Sequence, residues 1–561
     1  MTHDRGRGIQ SFHWAPDGRH VIYGQDRGGD ENWRLYITEV DTQKTRELTP
    51  FDGVQALVLR LSKRHPGSML VGLNRDDPSR HDAFRLELST GSLEKVAENP
   101  GFARWIVDRD LRVRGGVRAT ADGGCEVLMS DDGGRQWRPI FTAGLDEGLE
   151  LLFGWPMELS ADDRSLIMVC AKDSNTSRLV RMDLGTGSIE TIAGDPEYDV
   201  RAVMFQPDSG RPQVAYVEKD RLVPLILDPS IEEDFAELSR VHHGDFVVAG
   251  RDDADRSWVV EFHADDTPSA YYLYRRDLKQ AQLLFEDRPE LRRYRLAAMQ
   301  PFQFPARDGL TIHGYLTFPP GSETRRLPTV VKVHGGPQAR DSWRFDPWAQ
   351  LFASRGYLCV HVNYRGSMGY GKQFLFAGDK QWGRAMHHDV LDAIGWLVDH
   401  GHSDPARIAM WGTSYGGYET LVTVTSDPDL LACAVAGMAP VNLVSFMESL
   451  PAYWSAQRAL LTRQCGDPEA EGDLLWERSP LRLVDRIRTP LLMFYGDGDP
   501  RVTVGEAEQL AKALESHGIP HELHVLSGEG HSLDEMSPEY LRLVVERTEA
   551  FLEHHLRPDK P

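Results

Sequence analysis

A serine lies at the centre of a pattern that can perform nucleophilic catalysis. Ser414 occupies a G-x-S-x-G sequence between Gly412 and Gly416, after a short apolar stretch and before residues that predict a helix. A sharp turn there would hold the serine in a strained conformation with its hydroxyl exposed, and the glycines would let strand and helix approach closely. The amide of Tyr415 would then point at a developing oxyanion. The pattern predicts a nucleophile elbow.

Two later segments can supply the base and the acid that such a serine needs. His531 follows one strand-like stretch, and Asp499 follows another at residues 491–495. The chain order serine, aspartate, histidine is that of α/β-hydrolases. The histidine would take the Ser414 proton and return it to the leaving group, while the aspartate holds the imidazole tautomer. Asp497, in the same turn, is the alternative acid, although it could simply cap the turn.

A glycine pair earlier in the chain predicts a second oxyanion donor. Strand-like residues 329–333 are followed by His-Gly-Gly-Pro at residues 334–337. This sequence is similar to the HGGG loop of lipases and esterases, in which a backbone amide meets the amide after the nucleophile. We assign that amide to Gly336. The alternative is an ordinary turn between a strand and a helix.

A parallel sheet would bring these residues together. Beyond about residue 300, a hairpin-like pair of strands is followed by apolar strands that alternate with amphipathic helices. This alternation predicts a doubly wound, mostly parallel α/β-hydrolase domain, which we place at residues 288–561. Ser414, Asp499 and His531 each follow a predicted strand, so all three are expected at the carboxyl edge of one sheet.

The first half of the chain repeats itself. Similar alternating strands surround turns that are separated by 48, 96 and 92 residues, at Asp41, Ser89, Gly185 and Asp277. Short strands with Asp-Gly and Thr-Gly turns that recur every ~40–50 residues predict four-stranded propeller blades. We count six units and place this β-propeller at residues 1–287. A seventh blade could be assembled from residues 231–252, and an irregular β-sandwich is the alternative architecture.

Size and charge exclude several classes of function. The 561 residues exceed what one core supports, so at least two domains are expected. The 63 basic and 85 acidic side chains give a net charge of −22, which repels nucleic acids and anionic lipid surfaces. Neither a signal-like segment nor an apolar run of membrane-spanning length is present, so we predict a cytoplasmic protein with no nucleic-acid or membrane partner.

Cysteine usage indicates neither a disulfide framework nor a zinc site. The five cysteines are widely spaced, with no C-x-x-C pair and no histidine at metal-ligand spacing. A free cysteine in apolar surroundings behaves as a small hydrophobic residue. We expect no metal and no organic cofactor.

Five motifs follow one another through the second half of the chain. They are HGGP at residues 334–337, NYRGSMGYG at 363–371, GTSYGGY at 412–418, G-x-x-D-x-R-V at 496–502 and EGH at 529–531. Together they resemble the prolyl oligopeptidase family, in particular its acylaminoacyl-peptidase and dipeptidyl-aminopeptidase-like branch. The resemblance implies a serine peptidase for short peptides, with the propeller as a lid that excludes folded proteins.

The resemblance also implies roles for single residues. It assigns the triad acid to Asp499 and gives Arg501 a contact with a substrate carbonyl, for which a salt bridge to a nearby acid is the alternative. The aromatic residues Phe446, Tyr453 and Trp454 fall where the family builds its primary specificity pocket, and core packing is the alternative for each.

The family pattern is incomplete in two places. Dipeptidyl aminopeptidases of this family grip a free amino terminus with paired glutamates of the propeller, and no such pair stands out here. Glu31 and Glu261 are single candidates for this role. The segment after His531, SLDEMSPEY, lacks the Gly-Phe and basic residue that relatives often carry, which leaves the far wall of the pocket undefined.

Three functions remain compatible with the sequence. The first is a serine peptidase that cleaves short peptides near the amino end, as an acylaminoacyl peptidase or an aminopeptidase, through an acyl-enzyme on Ser414. The second is a small-molecule amidase, esterase or acyl transferase that acts on an aminoacylated metabolite, since the fold does not select the substrate. The third is a binding platform with an inactive hydrolase domain, which an intact triad disfavours. A homo-oligomer, with substrate entering between subunits, is one option for assembly.

Overall fold

The computed structural model describes residues 8–9, 11–120, 123–322 and 324–556. Within these residues, six small antiparallel sheets precede one eight-stranded sheet. Each small sheet is one blade of a β-propeller whose strands follow one another in chain order. The prediction of a propeller followed by an α/β-hydrolase domain is confirmed, and the propeller has six blades.

The blades contain the following strands. Blade 1 consists of β1 (Ser11–Trp14), β2 (His20–Gln25), β3 (Arg34–Glu39) and β4 (Thr45–Glu47), and blade 2 of β5 (Ala56–Leu61), β6 (Ser68–Asp77), β7 (Arg80–Glu87) and β8 (Leu93–Ala97). Blade 3 consists of β9 (Phe102–Val107), β10 (Val113–Ala119), β11 (Cys125–Met129) and β12 (Arg138–Ala143), and blade 4 of β13 (Met157–Leu159), β14 (Ser165–Cys170), β15 (Arg178–Asp183) and β16 (Ile189–Ala193). Blade 5 consists of β17 (Val200–Phe205), β18 (Pro212–Glu218) and β19 (Leu222–Ile226), and blade 6 of β20 (Asp245–Arg251), β21 (Ser257–His263), β22 (Ala270–Arg275) and β23 (Gln280–Glu286).

Alternating side chains hold the blades together. In β21, Trp258, Val260 and Phe262 are fully buried between blades 5 and 6, and the residues between them are more exposed. This period of two is what a strand with one buried face requires. The repeated turns at Asp41, Ser89, Gly185 and Asp277 each join the third and fourth strands of a blade.

Two helices interrupt the propeller, and the repeat analysis predicted neither. Helix α1 (Leu145–Leu152) lies between blades 3 and 4, and α2 (Glu232–Leu238) stands where blade 5 would have its fourth strand. Residues 231–252, the candidate for a seventh blade, therefore contain α2 and the whole of β20, which belongs to blade 6.

The eight-stranded sheet forms the second half of the structure. Its order is β24-β25-β27-β26-β28-β29-β30-β31, antiparallel at β24, β25 and β27 and parallel from β27 onward. The strands are β24 (Met299–Pro305), β25 (Thr311–Thr317), β26 (Leu327–Val333), β27 (Leu358–Asn363), β28 (Ser403–Thr413), β29 (Cys433–Gly437), β30 (Leu491–Gly496) and β31 (His521–Leu526). The helices are α3 (Pro347–Ser354), α4 (Lys372–Phe376), α5 (Ala385–Asp399), α6 (Tyr415–Ser426), α7 (Leu443–Glu448), α8 (Ser455–Gln464), α9 (Gly472–Glu477), α10 (Val504–Ser516) and α11 (Pro538–Leu556).

Helices cover both faces of this sheet. Ile408 and Met410 of β28 pack on the side of α5, α6 and α10, whereas Ala409 and Trp411 face α3 and α11. Because both faces are buried, the strand is a continuous apolar run, as expected for a parallel sheet. Blade 6 ends at Glu286 and β24 begins at Met299; the division of the chain at residues 287/288 stays a prediction.

No helix in the described part of the chain is both long enough and apolar enough to cross a membrane.

Candidate active site

The predicted elbow forms a tight turn between β28 and α6. Ser414 has φ 59° and ψ −124°, and its amide donates to the Gly437 carbonyl at 2.9 Å. A Cβ atom on Gly412 would lie 2.3 Å from the Gly416 oxygen, and one on Gly416 would lie 2.0 Å from the Val333 oxygen. Only glycine fits at these two positions, because the helix begins directly against the neighbouring strands.

Ser414, His531 and Asp499 form one hydrogen-bonded chain. The Ser414 Oγ lies 2.9 Å from the His531 Nε2, and the His531 Nδ1 lies 2.6 Å from the Asp499 Oδ2. A carboxylate only accepts, so the Nδ1–H donates to Asp499 and the Nε2 is left to accept the serine proton. The arrangement has the geometry that proton transfer from a serine nucleophile requires.

The two candidate acids have different environments. The Oδ1 of buried Asp499 accepts the amides of Arg501 and Val502 at 2.8 and 3.0 Å, which fixes the carboxylate while its Oδ2 faces His531. Asp497 is exposed and accepts the Gly528 amide at 2.6 Å. Asp499 is thus the acid in contact with the histidine, and Asp497 caps the turn after β31.

The His-Gly-Gly-Pro loop packs directly against the elbow. A Cβ atom on Gly335 would lie 3.2 Å from the Ser414 Cβ, which puts this loop beside the nucleophile. The Tyr364 hydroxyl donates to the His334 carbonyl at 2.9 Å, and the Tyr364 ring lies 5.2 Å from that of Tyr415. Buried aromatic rings therefore connect the two segments whose amides are predicted to form an oxyanion hole.

A loop of propeller blade 1 touches the loops that carry the histidine and the aspartate. A Cβ atom on Gly29 would lie 2.4 Å from the Gly530 nitrogen, and one on Gly498 would lie 2.2 Å from the Gly28 oxygen. Contacts this close are between backbones and leave no room for a side chain. The propeller thus packs against the residues that flank His531.

The same propeller loop contacts Arg501. The Glu31 Oε1 lies 2.6 Å from the Arg501 Nε, in an ion pair whose N–H does not point at the oxygen, and the Glu31 Oε2 accepts the Tyr453 hydroxyl at 2.8 Å. The guanidinium also lies over the Trp454 ring, 5.2 Å from its centroid. Three predicted substrate-binding residues, Arg501, Tyr453 and Trp454, are therefore neighbours around Glu31.

A cavity of about 350 Å³ reaches the predicted oxyanion loop at Gly336. Most of its wall is apolar and includes Trp454, Leu460 and Leu461 from the hydrolase half. The propeller contributes Leu149 of α1, Phe153 and Trp155 just after that helix, and two carboxylates, from Glu150 and Asp199. The cavity is therefore shared by both halves of the chain, with its acidic groups on the propeller side.

The sequence analysis missed Glu150 and Asp199. Ser177 connects them, because its hydroxyl donates to the Glu150 Oε1 and its amide donates to the Asp199 Oδ1 at 2.7 Å. Asp199 also accepts the Gly371 amide at 3.1 Å. An acid between two leucines in a short apolar segment was the available signal for Glu150, but it lay between two repeats and outside every motif.

Burial changes the acidity of both carboxyl groups. Removal from water raises the pKa of Glu150 to about 7, although the Ser177 hydroxyl opposes the shift, and burial also raises the pKa of Asp199. Glu150 lines the cavity, and within the described residues its Oε2 has no hydrogen-bond partner. A buried carboxylate of this kind favours a cationic group nearby.

The remaining candidates lie elsewhere. Phe446 is 6% exposed and belongs to the core that covers one face of the large sheet. Glu261 belongs to β21 of blade 6, where it accepts the Tyr271 hydroxyl at 2.7 Å. Of the two single glutamates, Glu31 is the one that contacts a predicted substrate-binding residue.

Among the residues that the structure describes, two groups of histidine and acidic side chains have ligand atoms close enough to hold a metal ion. One consists of His243, Asp265 and Asp266 and the other of Asp341, Asp346 and His361. In the second group the Lys332 ammonium lies 3.3 and 3.1 Å from the two carboxylates and supplies the balancing positive charge. The five cysteines are all free and buried.

The chain is similar in sequence to known peptidases over nearly its whole length. A sequence model of the prolyl oligopeptidase family matches residues 343–559. Dipeptidyl aminopeptidase BIII of Pseudoxanthomonas mexicana is 34% identical over 98% of this chain and 81% of its own length. Dipeptidyl peptidase family member 6 of Caenorhabditis elegans is 29% identical over 95% of this chain and 77% of its own length.

Solved structures share the two-domain fold. A puromycin-hydrolyzing peptidase of Mycobacterium tuberculosis superposes with a TM-score of 0.78 over 99% of this chain and 87% of its own, at 22% identity. At that identity the likeness concerns the fold.

Proposed function

Because this chain belongs to the prolyl oligopeptidase family and is a serine peptidase, we propose that it cleaves short peptides near a free amino terminus, with Ser414 as nucleophile. His531 is the general base and Asp499 its orienting acid. The observation that carries the choice of a free amino terminus is the Glu150 and Asp199 pair in the cavity that begins at Gly336.

The chemistry would proceed through an acyl-enzyme. Ser414 attacks the scissile carbonyl while its proton moves to the His531 Nε2, and the imidazolium is stabilised by Asp499. The oxyanion that forms would be bound by the amides of Tyr415 and Gly336. His531 then protonates the leaving amine, and a water activated by the same imidazole releases the amino-terminal fragment.

The acidic end of the cavity would bind the substrate ammonium. A carboxylate in an apolar cavity attracts a protonated amine, whereas an acetylated amine would leave the Glu150 Oε2 without a partner. The name of one relative, a dipeptidyl aminopeptidase, agrees with this preference. Arg501, which contacts Glu31 and Trp454, would donate to a substrate carbonyl.

A small aminoacyl amide is the second candidate substrate. A volume of about 350 Å³ is at the small end of ligand sites and would hold an aminoacyl group with a compact leaving group as well as a short peptide. Such a compound also carries a free amine, so the acidic pair serves both. The cytoplasmic location and the oligomeric state stay predictions.

The test compares matched substrates with purified protein. We would measure kcat/KM for a dipeptidyl nitroanilide with a free amine and for its acetylated twin, with Ser414→Ala as the blank. Faster cleavage of the free amine supports the proposal. Faster cleavage of the acetylated twin would make the protein an acylaminoacyl peptidase. If neither is cleaved while a fluorophosphonate still labels Ser414, the peptide proposal fails and the small aminoacyl amide takes its place.

A further inference from the structure

A buried histidine and glutamate lie behind the elbow, outside the triad. His387 on α5 is 3% exposed and Glu419 on α6 is fully buried. The His387 Nδ1 lies 2.5 Å from the Glu419 Oε1, and the His387 Nε2 lies 3.3 Å from Asp427 at the end of α6. Both ring nitrogens thus face carboxylates, which only accept, so the imidazole is held as a doubly protonated cation.

Glu419 also contacts Tyr415, the residue whose amide is predicted to bind the oxyanion. The Tyr415 hydroxyl donates to the Glu419 Oε2 at 3.3 Å, and the ring packs edge-on against Trp382 at 4.7 Å. Tyr415 is the first residue of α6, directly after Ser414. An unbroken series of contacts therefore joins His387, Glu419 and the start of the catalytic helix.

The charges around His387 favour its cationic form. Burial alone would lower the pKa of His387, but Glu419 and Asp427 raise it to about 9. Other groups on this side are His388, whose pKa burial lowers, and the ion pairs of Arg307 with Asp392 and of Arg384 with Glu477. Arg365 pairs with buried Asp389 on the same helix. These neighbouring pairs balance their own charges. Arg478 and Arg482 also line this side, and Arg478 donates to the carbonyls of Lys380 and Trp382. The cation in contact with Glu419 is His387, on which Glu419 depends for its counter-charge.

Solvent reaches the far end of this series. A polar cavity of about 390 Å³ is lined by His387 and Asp427, together with Arg307, Arg384 and His388. Protons can therefore exchange at His387, although the imidazole is buried. If it loses its proton, Glu419 is left as a buried charge whose one remaining side-chain donor, among the described residues, is the Tyr415 hydroxyl.

We propose that His387 is a positioning residue for the oxyanion hole: its imidazolium neutralises Glu419, and the neutralised pair holds the Tyr415 side chain so that the Tyr415 amide faces the reacting carbonyl. The proposal rests on the hydrolase function proposed for Ser414. It assigns His387 no contact with substrate. Loss of the charge acts on the transition state more than on substrate binding, because the oxyanion develops only there.

The first experiment compares His387→Gln with His388→Gln, a neighbour on α5 that has no contact with Glu419. At pH 7.5, His387→Gln should lower kcat by about tenfold and leave KM within about twofold, since the donor is displaced and not removed. His388→Gln should keep the wild-type values. In the wild type, kcat should fall as pH rises through about 9, where His387 loses its proton; this alkaline limb should be absent in His387→Gln.

A double variant distinguishes a role of His387 in positioning Tyr415 from a role in the stability of the fold. His387→Gln with Glu419→Gln replaces the ion pair by a neutral pair of similar shape, and kcat should return to within about threefold of the wild type with a flat alkaline profile. The rate of Ser414 labelling by a small fluorophosphonate is a second readout, and it does not depend on the choice of peptide. If the proposed peptidase function is wrong, the wild type will be labelled at Ser414 but will cleave no peptide. The labelling rates would then still test the positioning role of His387.

Three results would contradict the proposal. They are a wild-type profile of kcat and labelling without an alkaline limb near pH 9, a His387→Gln variant with unchanged rates, and a loss of rate that is equal at every pH and is not restored in the double variant. If the single variant fails to fold, the wild-type labelling profile can still contradict the proposal, and the double variant tests whether an alkaline limb belongs to His387.

Discussion

The proposed reaction centre and the proposed amine-binding end of this site are built in opposite ways. Ser414, Asp499 and His531 follow three strands of one sheet, and each belongs to a local motif. The carboxylates of Glu150 and Asp199 come from α1 and from the start of blade 5, and they meet the hydrolase half only across a shared cavity. Under the proposed function, local sequence therefore specifies the chemistry, while the packing of the propeller specifies the substrate.

This difference predicts that the two ends can be inactivated separately. Changes at the reaction centre should abolish turnover of every substrate. Changes at the acidic end should act only on substrates that carry an ammonium group, because an acetylated amine has no charge for the carboxylates to bind.

The largest effects are expected at the nucleophile and the base. Ser414→Ala and His531→Ala should each lower kcat by about four to six orders of magnitude for free and acetylated substrates alike. Ser527→Ala, an exposed serine at the same edge of the sheet, is the matched control and should keep wild-type rates. Initial rates and fluorophosphonate labelling measure both; residual labelling of Ser414→Ala would mean that another residue is the nucleophile.

The two aspartates should differ almost as strongly. Asp499→Asn should lower kcat by about 10⁴-fold, because the amide would stabilise the wrong tautomer of His531. Asp497→Asn removes only a turn contact and should change kcat by less than about threefold. Steady-state kinetics on one substrate are sufficient, and a reversed order of the two variants would move the acid to Asp497.

A smaller effect should follow from the contact between propeller and catalytic loops. Gly29→Ala would place a methyl group 2.4 Å from the Gly530 nitrogen, so we expect displacement of the His531 loop and a loss of about tenfold in kcat. Gly53→Ala has the same left-handed φ but meets nothing within 4 Å. It should cost about 1 kcal/mol of unfolding free energy with no loss of kcat. Equal kcat values in the two variants would mean that the contact between the propeller loop and the His531 loop does not affect catalysis.

Much of the fold was predictable from periodicity. Repeated strand and turn patterns gave the six blades, and β31 and α10 begin where apolar periodicity begins. Residues 433–437 were not predicted as a strand, because their small side chains, Cys-Ala-Val-Ala-Gly, carry little propensity signal. Helix α1 was missed because it is a single insertion in a repetitive region.

Some residues of the candidate site were predictable from the sequence and others were not. The triad and the glycine loops follow from local rules, since strain, close approach and chain order are encoded in a few adjacent residues. The contact between Glu31 and Arg501 joins residues hundreds of positions apart, and the acidic end combines Glu150 of the inserted helix α1 with Asp199 at the start of blade 5. Their roles depend on how the propeller sits on the sheet, which periodicity does not specify.

The measurement that tests the account most directly is the ratio of kcat/KM for a free-amine nitroanilide to that for its acetylated twin, in the wild type and in Glu150→Gln, between pH 5.5 and 8. Burial raises the pKa of Glu150 to about 7, so the carboxylate charge is present above that pH and is lost below it. The wild-type ratio should therefore fall as pH drops through about 7. The acetylated twin reports any pH dependence of the catalytic step by itself.

In Glu150→Gln the ratio should be about tenfold to a hundredfold lower at pH 7.5 and should no longer change in this pH range. Glu147→Gln, on the same helix but paired with Lys172, should behave as the wild type. A ratio that is the same in Glu150→Gln and in the wild type would contradict the claim that the propeller carboxylates select a free amino terminus.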